Sequence, residues 1–357
     1  MSAVSSKKRV TLRDIAKECG CTVMTVSYAL RHYPRISQET REKVQSVALK
    51  MGYMPDPALS ALSAYRRVNH PHPAAAPLAW ITNYAERDGQ LSRGYYIQRH
   101  LNGAAERARE MGYRIETFWL RESGMTARRM SQILYNRGIT GVLLPPQPRP
   151  QAHLNLDWEK FCVVTFGYSL ARPRFHMVAT HHFRAVVMLV RRLRAYGYRR
   201  IGLHLSDEVD TRVAHAYSAS FSSEQSRFRK EHVLPILRGR IITVEDVRAW
   251  IRRYRPEAII TWDPRIAGDA LKQEGLRAPD DIGLATLFVD PMGKQKEVSG
   301  IDENYEAMGA AASDLLVMLM QQNERGVPII PRSVLIDAGW FEGTTVRRLH
   351  LKAPRPF

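Results

Sequence analysis

Cysteine is scarce in this chain: Cys19, Cys21 and Cys162 are the only three in 357 residues. Three thiols with no Cys-x-x-Cys and no paired spacing exclude a disulfide-stapled scaffold and suit a reducing compartment. Cys19-x-Cys21 is read as helix packing rather than half of a metal site. Long apolar runs are missing as well. None approaches the roughly 20 residues that cross a bilayer, and the opening Met-Ser-Ala-Val-Ser-Ser-Lys-Lys lacks the apolar stretch of a signal peptide. A cytoplasmic location is therefore expected. Catalytic signatures are absent too: there is no Gly-x-Ser-x-Gly elbow and no His-Glu-x-x-His, and Gly293-Lys294 lacks the glycine spacing and following hydroxyl of a phosphate loop. His176, His181 and His182 have no acid or cysteine at ligand intervals, which is a poor basis for metal. The expectation is no catalytic residue, no metal and no cofactor. Negative charge is the last shortage. Only 35 Asp/Glu face 53 Lys/Arg, a net charge of +18, which points to an acidic polymer as partner. Residues 1–70 hold twelve Lys/Arg against five Asp/Glu, so the larger part of the excess lies beyond them.

What is present begins at residue 10. Thr11-Leu-Arg-Asp14 places a hydroxyl and an acid three apart, the pattern that caps a helix start. Leu12, Ile15, Ala16 and Cys19 then form one apolar face, and Gly20 ends the helix. After a tight turn Thr22 caps a second helix in which Val26 and Leu30 stack four apart, with Val23 three residues earlier. Two short helices joined by a glycine turn are a helix-turn-helix signature. A third helix starts at Ser37, runs through Val44, Val47, Ala48 and Met51, and stops at Gly52. Lys7, Lys8, Arg9, Arg13, Lys17, Arg31, Arg35, Arg41, Lys43 and Lys50 surround this unit, enough cations to neutralise several phosphates.

The run Val10-Thr-Leu-Arg-Asp-Ile-Ala-Lys-Glu-Cys-Gly-Cys-Thr-Val-Met-Thr-Val-Ser27, with Ser37-Gln-Glu-Thr-Arg-Glu-Lys-Val44 and Gly52-Tyr-Met-Pro55, resembles the headpiece of LacI/GalR-family transcription regulators. The resemblance implies that the second helix lies in the major groove, with Val23, Met24 and Tyr28 at its base-reading positions. These depart from the polar side chains of many relatives, since Val and Met offer only apolar contact, for instance with a thymine methyl. Val23 has two open readings: base contact, or the top of the core stripe through Val26 and Leu30. Thr11, Thr22, Thr25 and Ser27 supply hydroxyls for phosphate or base hydrogen bonds, and Arg31 and Arg35 supply charge.

Asp56 followed by Pro57 is an N-cap and a first helical residue, and Ala58 to Ala64 makes about two turns, marginal alone in water. The resemblance implies a hinge helix that folds when paired with its twin on DNA, with Leu62 wedged into the minor groove. A Pro-rich linker follows, Val-Asn-His-Pro-His-Pro-Ala-Ala-Ala-Pro77.

From Leu78 onward short apolar runs alternate with helical patterns. Strands are predicted at Leu78 to Thr82, Tyr113 to Trp119, Gly141 to Leu144, Phe161 to Phe166, Ile201 to Leu205, Ala258 to Thr261 and Ile282 to Leu287. Helices are predicted near Tyr95 to Met111 and Thr126 to Asn136, and starting near His182, Thr211, Val244 and Pro264. Such alternation implies parallel sheets covered on both faces, here in two lobes, with ligands outside the carboxyl ends of the strands. The family resemblance extends here through Ala195-Tyr-Gly-Tyr-Arg-Arg-Ile-Gly202, Pro279-Asp-Asp-Ile282 and Trp340-x-x-Gly343, and implies a core similar to periplasmic sugar-binding proteins. It implies effector contacts from Arg212 and Asp263. Trp262, Asn83, Tyr84 and Asp290 follow strand ends and complete the expected effector set. His181-His182 and Thr286-Leu-Phe-Val-Asp290 depart from the family's usual sequences near the cleft.

The fold class expected is α/β: an all-α helix-turn-helix headpiece (1–55) with a hinge helix (56–67), a linker (68–77) and a two-lobed, periplasmic-binding-protein-like core of doubly wound parallel sheets (78–357). Lobe 1 takes about 78–175 and 303–328, lobe 2 about 176–302 and 329–350. The function expected is a homodimeric, sequence-specific DNA-binding repressor. Its partners are double-stranded DNA with a near-palindromic operator and a small-molecule effector, a sugar, and it is not an enzyme. The alternatives are a corepressor-dependent regulator sensing a non-sugar metabolite and a solute-binding protein of a transporter.

Overall fold

The computed structural model describes residues 10–30, 36–51, 53, 75–85, 94–289 and 296–349. The hinge expected at 56–67, with Leu62, and Arg31, Arg35 and Asp290 all lie outside the described residues.

Helices α1 (Leu12–Cys19), α2 (Val23–Leu30) and α3 (Gln38–Lys50) form the headpiece. The Thr11 hydroxyl and the Asp14 carboxylate cap α1 reciprocally, and Gly20, in the left-handed region with φ of 66°, ends it. Ile15, Ala16 and Cys19 meet Val26, Ala29, Val44 and Ala48 in one small core. Cys19 is thus packing material, and Cys21 leans on the same cluster.

The first lobe is a six-stranded sheet in the order β13-β7-β5-β3-β1-β2. Its strands are β1 (Ala76–Thr82), β2 (Tyr113–Trp119), β3 (Gly141–Leu144), β5 (Cys162–Phe166), β7 (His176–Thr180) and β13 (Ser333–Ile336), all paired in parallel. The short β4 (Ala152–His153) and β6 (Leu170–Arg172) pair beside it. Alternate residues of β1 point to opposite faces, so Leu78 and Trp80 join one apolar layer and Ala79 and Ile81 the other. Helix α4 (Gly94–Glu110) covers the first face together with the late helix α11 (Tyr305–Gln322), while α5 (Ala127–Asn136) covers the second.

The second lobe repeats the plan with β8 (Ile201–Ser206), β9 (Leu237–Gly239), β10 (Ala258–Thr261), β11 (Gly283–Thr286), β12 (Ser299–Asp302) and β14 (Gly339–Phe341), in the order β14-β12-β11-β10-β8-β9. Only β14 runs antiparallel to its neighbour. Helices α6 (His182–Ala195), α7 (Asp207–Arg212), α8 (Ala216–Gln225), α9 (Val244–Tyr254) and α10 (Pro264–Gln273) complete it. Where one helix was expected from Thr211, two short ones are found: Ala214 and His215, with φ of 53° and 61°, break the helical path between α7 and α8.

The expected lobe boundaries need correction. Residues 176–180 and 333–336, assigned to lobe 2 on the sequence, pair in the first sheet as β7 and β13. Both are parallel strands of one sheet, so the chain leaves lobe 1 only after Thr180 and visits it again between Glu303 and Ile336. It crosses between lobes three times, after β7, after β12 and after β13.

Helices α4 and α11 touch at glycine. A Cβ at Gly103 would overlap the Glu306 carbonyl, and one at Gly309 would overlap the His100 carbonyl. Backbone cannot yield as a side-chain tip can, so Gly103→Ala should cost about 1–3 kcal/mol. Urea denaturation checks this; an unchanged midpoint and slope would show that the helices separate freely.

Candidate functional site

The headpiece candidates separate cleanly by face. At 100° per residue, Val23, Ser27, Met24 and Tyr28 fall within one arc of about 140°, opposite the fully buried Val26 and Ala29. Val23 is 40% exposed and Met24 64%. The core-stripe reading of Val23 is therefore set aside: it faces outward beside Met24, with the core stripe beginning at Val26. Thr22 accepts the Thr25 N–H at 3.0 Å, and the two hydroxyls bond each other at 2.9 Å, so both hold the start of α2. Thr11 is likewise engaged, donating to Asp14 at 2.7 Å. Arg13 and Lys17 on α1 and Lys43 and Lys50 on α3 are exposed.

In the core, Asn83 and Tyr84 follow β1 and Trp262 and Asp263 follow β10, each at the carboxyl end of a parallel strand. Arg212 was expected near a helix N-terminus. It sits instead in the last turn of α7, and its guanidinium reaches the other lobe, donating to the Gln147 carbonyl at 2.8 Å and the Pro148 carbonyl at 3.2 Å. Asp263 is the N-cap of α10. Burial pushes its carboxyl up, but the Arg265 side chain and backbone N–H, with the Ile266 N–H, hold it below the ordinary range. Its oxygens are thus already engaged in capping and an ion pair. Asn83 accepts from Arg121. Tyr84 is buried, and its hydroxyl donates to the Pro146 carbonyl at 2.6 Å, bracing the loop that Arg212 touches. Trp262 packs half-buried against the second core, and its indole N–H is buried with no hydrogen-bond partner in the structure.

Several residues near this cleft escape the sequence reading. Gln147, in the loop after β3, is buried; its amide donates to the Pro145 carbonyl while its Oε1 has no partner. His204 on β8 is fully buried, with Nδ1 at 2.9 Å from the Thr261 hydroxyl, Nε2 without a partner, and its ring beside Trp262. Burial drives its pKa down to about 4. The rule that ligands sit beyond strand ends marks Gln147, three residues after Leu144; nothing local marks His204.

The lobe crossings converge on Glu303. His182 Nε2 lies 3.2 Å from its Oε1 and the Tyr217 hydroxyl donates to that oxygen at 3.0 Å, while Tyr305 also bonds the carboxylate. Burial raises the Glu303 carboxyl, yet these donors hold it below its ordinary value. His182 follows the first crossing, Glu303 the second, and Asn304 beside it donates to the Asp337 carbonyl in the third. The His181-His182 departure thus has a place: His181 caps α6, and His182 ties the hinge. Among the described residues, no group of three or more His, Cys, Asp and Glu could hold a metal ion.

A helix-turn-helix headpiece joined to a two-lobed core with polar groups at its strand ends defines a DNA-binding regulator carrying a ligand-binding domain. Residues 11–56 match the pattern of bacterial regulatory proteins of the lacI family, and residues 190–346 match the periplasmic binding protein-like domain. The chain belongs to the LacI/GalR family of transcriptional regulators. It is 20% identical over 292 residues to the NTD biosynthesis operon regulator NtdR of Bacillus subtilis (strain 168), covering 77% of this chain and 81% of that one. Its fold is similar to the transcriptional regulator CelR in complex with cellobiose (TM-score 0.52, 16% identity, 94% of this chain and 100% of the other). It is also similar to the lac repressor dimer bound to operator and the anti-inducer ONPF (TM-score 0.52, 17% identity, 95% and 99%). No helix among the described residues is long and apolar enough to cross a membrane.

Proposed function

We propose that this regulator is a cytoplasmic repressor, acting as a homodimer on a near-palindromic operator, whose DNA affinity is set by a sugar or sugar derivative held between the core lobes. The observation that carries the reading is the reach of Arg212 across the cleft to the Gln147 and Pro148 carbonyls. A planar guanidinium that holds two lobes through neutral carbonyls can exchange them for ligand hydroxyls or a carboxylate. The partnerless Trp262 N–H, Gln147 Oε1 and His204 Nε2 supply further donor and acceptor positions. Two proteins of similar fold, one complexed with cellobiose and one a dimer on operator DNA, support a sugar ligand and a dimer. The mechanism is linkage: a ligand that prefers one lobe arrangement shifts the equilibrium between DNA-competent and incompetent states. On the DNA side Val23, Met24, Ser27 and Tyr28 read the major groove, with phosphate contacts from Thr11, Thr22, Thr25, Arg31 and Arg35 and Leu62 in the minor groove.

A thermal-shift screen of the full chain against sugars, phosphorylated sugars and carboxylate metabolites identifies the effector. Arg212→Ala should then weaken it about ten- to a hundredfold, the range for hydrogen bonds to a charged group. An Arg212→Ala variant that bound the hit at full affinity would sink this site. In a promoter fusion, deleting the regulator should raise expression, and lowered expression would overturn repression.

A further inference from the structure

The second lobe carries a cationic recess at the end opposite the cleft. It is an open surface recess of about 250 Å³, lined by the exposed Arg194, Arg199 and Arg229 with His232, and it has no carboxylate in its lining. Arg194 stands in the last turn of α6, Arg199 just before β8, and Arg229 and His232 on the turn between α8 and β9. The cleft adjoins the other end of β8, a strand of six residues, so the two places are separated by roughly 20 Å at about 3.3 Å per residue.

Several other arginines in this lobe are set against carboxylates, although Arg200 and Arg212 meet only carbonyls. Arg191 meets Glu224, Arg238 meets Asp207 and Asp210, Arg248 and Arg252 share Glu274, and Arg265 meets Asp263. Among the described residues no such partner serves Arg194, Arg199 or Arg229. Glu257, beside the entry of β8, is occupied by the backbone N–H groups of Arg199 and Arg200, and Glu231, on the same turn as Arg229 and His232, is outside the lining. The recess is also held in shape. Arg194 lies over the Phe228 ring at 4.7 Å and donates to the Arg199 carbonyl at 3.4 Å. Arg200 donates to the carbonyls of Glu231, Tyr254 and Arg255, fastening the 229–232 turn to the entry of β8. His232 Nδ1 is buried there with no hydrogen-bond partner in the structure.

Like charges gathered on a fixed recess repel one another unless an anion enters, and the guanidinium fork matches phosphate oxygens in pairs. The volume falls below the roughly 300 Å³ at which pockets for larger organic ligands begin. We propose that this recess binds a small molecule through a phosphate or diphosphate group, at a site separate from the cleft. It also gives a physical use to part of the positive charge that lies outside the headpiece.

The test is calorimetric titration of the full chain with sodium pyrophosphate and with inorganic phosphate, at constant ionic strength in chloride. The Arg194→Ala/Arg229→Ala double variant should bind pyrophosphate at least tenfold more weakly. An Arg13→Ala/Lys17→Ala headpiece variant, which controls for anion binding at the DNA surface, should match the unaltered chain. Should the recess double variant fail to fold, Arg229→Gln on its exposed turn should still show a loss of threefold or more. Undiminished pyrophosphate binding in the recess variants would overturn the proposal, as would loss in the headpiece variant alone.

Discussion

Acidification from pH 7 to pH 5 should remove about 2 kcal/mol of stability from the core for each of two buried histidines, His100 and His204. Desolvation by burial lowers both to about 4, from an ordinary 6.5. His100 Nδ1 donates to the Tyr96 carbonyl at 2.7 Å, while Phe166 and Tyr305 pack on the ring and Nε2 has no partner. His204 is placed in the same way against Thr261 and Trp262. The sign follows from proton binding. Between pH 6.5 and about 4 the unfolded chain takes up protons that the folded chain refuses, so stability is full above 6.5 and falls as pH drops. By pH 4 the loss should reach about 3 kcal/mol per histidine. Urea denaturation at pH 7 and pH 5 measures it, and replacing both rings (His100→Phe, His204→Gln) should flatten the difference. An equal pH dependence in that variant would assign the acid sensitivity to other groups.

Glu303→Ala should cost roughly 3–5 kcal/mol, the range for removing one partner from a buried ionic cluster. Its carboxylate accepts from His182, Tyr217 and Tyr305, which come from both lobes, and all three donors are buried. Glu303→Gln should recover part of the loss, because an amide oxygen still accepts two hydrogen bonds. Because the carboxyl is held below its ordinary value, its contribution is full above about pH 4.5 and disappears as pH falls through the depressed value. Chemical denaturation reads the effect, and a cost below about 1 kcal/mol would mean that the hinge tyrosines find other partners.

Local pattern carried much of the architecture. Strands β2, β3 and β10 lie at the predicted residues, because β3 and β10 are short apolar runs and β2 mixes apolar and β-prone residues with polar ones between turn signals. The headpiece is equally legible: Thr11 and Asp14 make the predicted capping box, and Gly20 ends α1. The misses share one cause. Met177, Val178 and Ala179 of β7 and Val334 and Leu335 of β13 read as ordinary chain, and only pairing across 150 residues makes them neighbours in one sheet. The expected site shows the same division. Trp262, Asn83 and Tyr84 follow strand ends and Arg212 reaches the loop after β3, yet Asp263 is consumed as a helix cap and Tyr84 as a brace. Hydrogen-bond competition between neighbours, which spacing does not encode, made those assignments.

By itself the sequence determined the class of this protein, since capping, periodicity and glycine stops act over a few residues and can be read where they stand. Tertiary structure decided where the lobes divide, which polar groups at the cleft keep a free valence, and that Glu303 joins the crossings. It also gathered arginines 35 residues apart, Arg194 and Arg229, into one recess. Those properties depend on burial and on long-range approach, which no local stretch of residues contains.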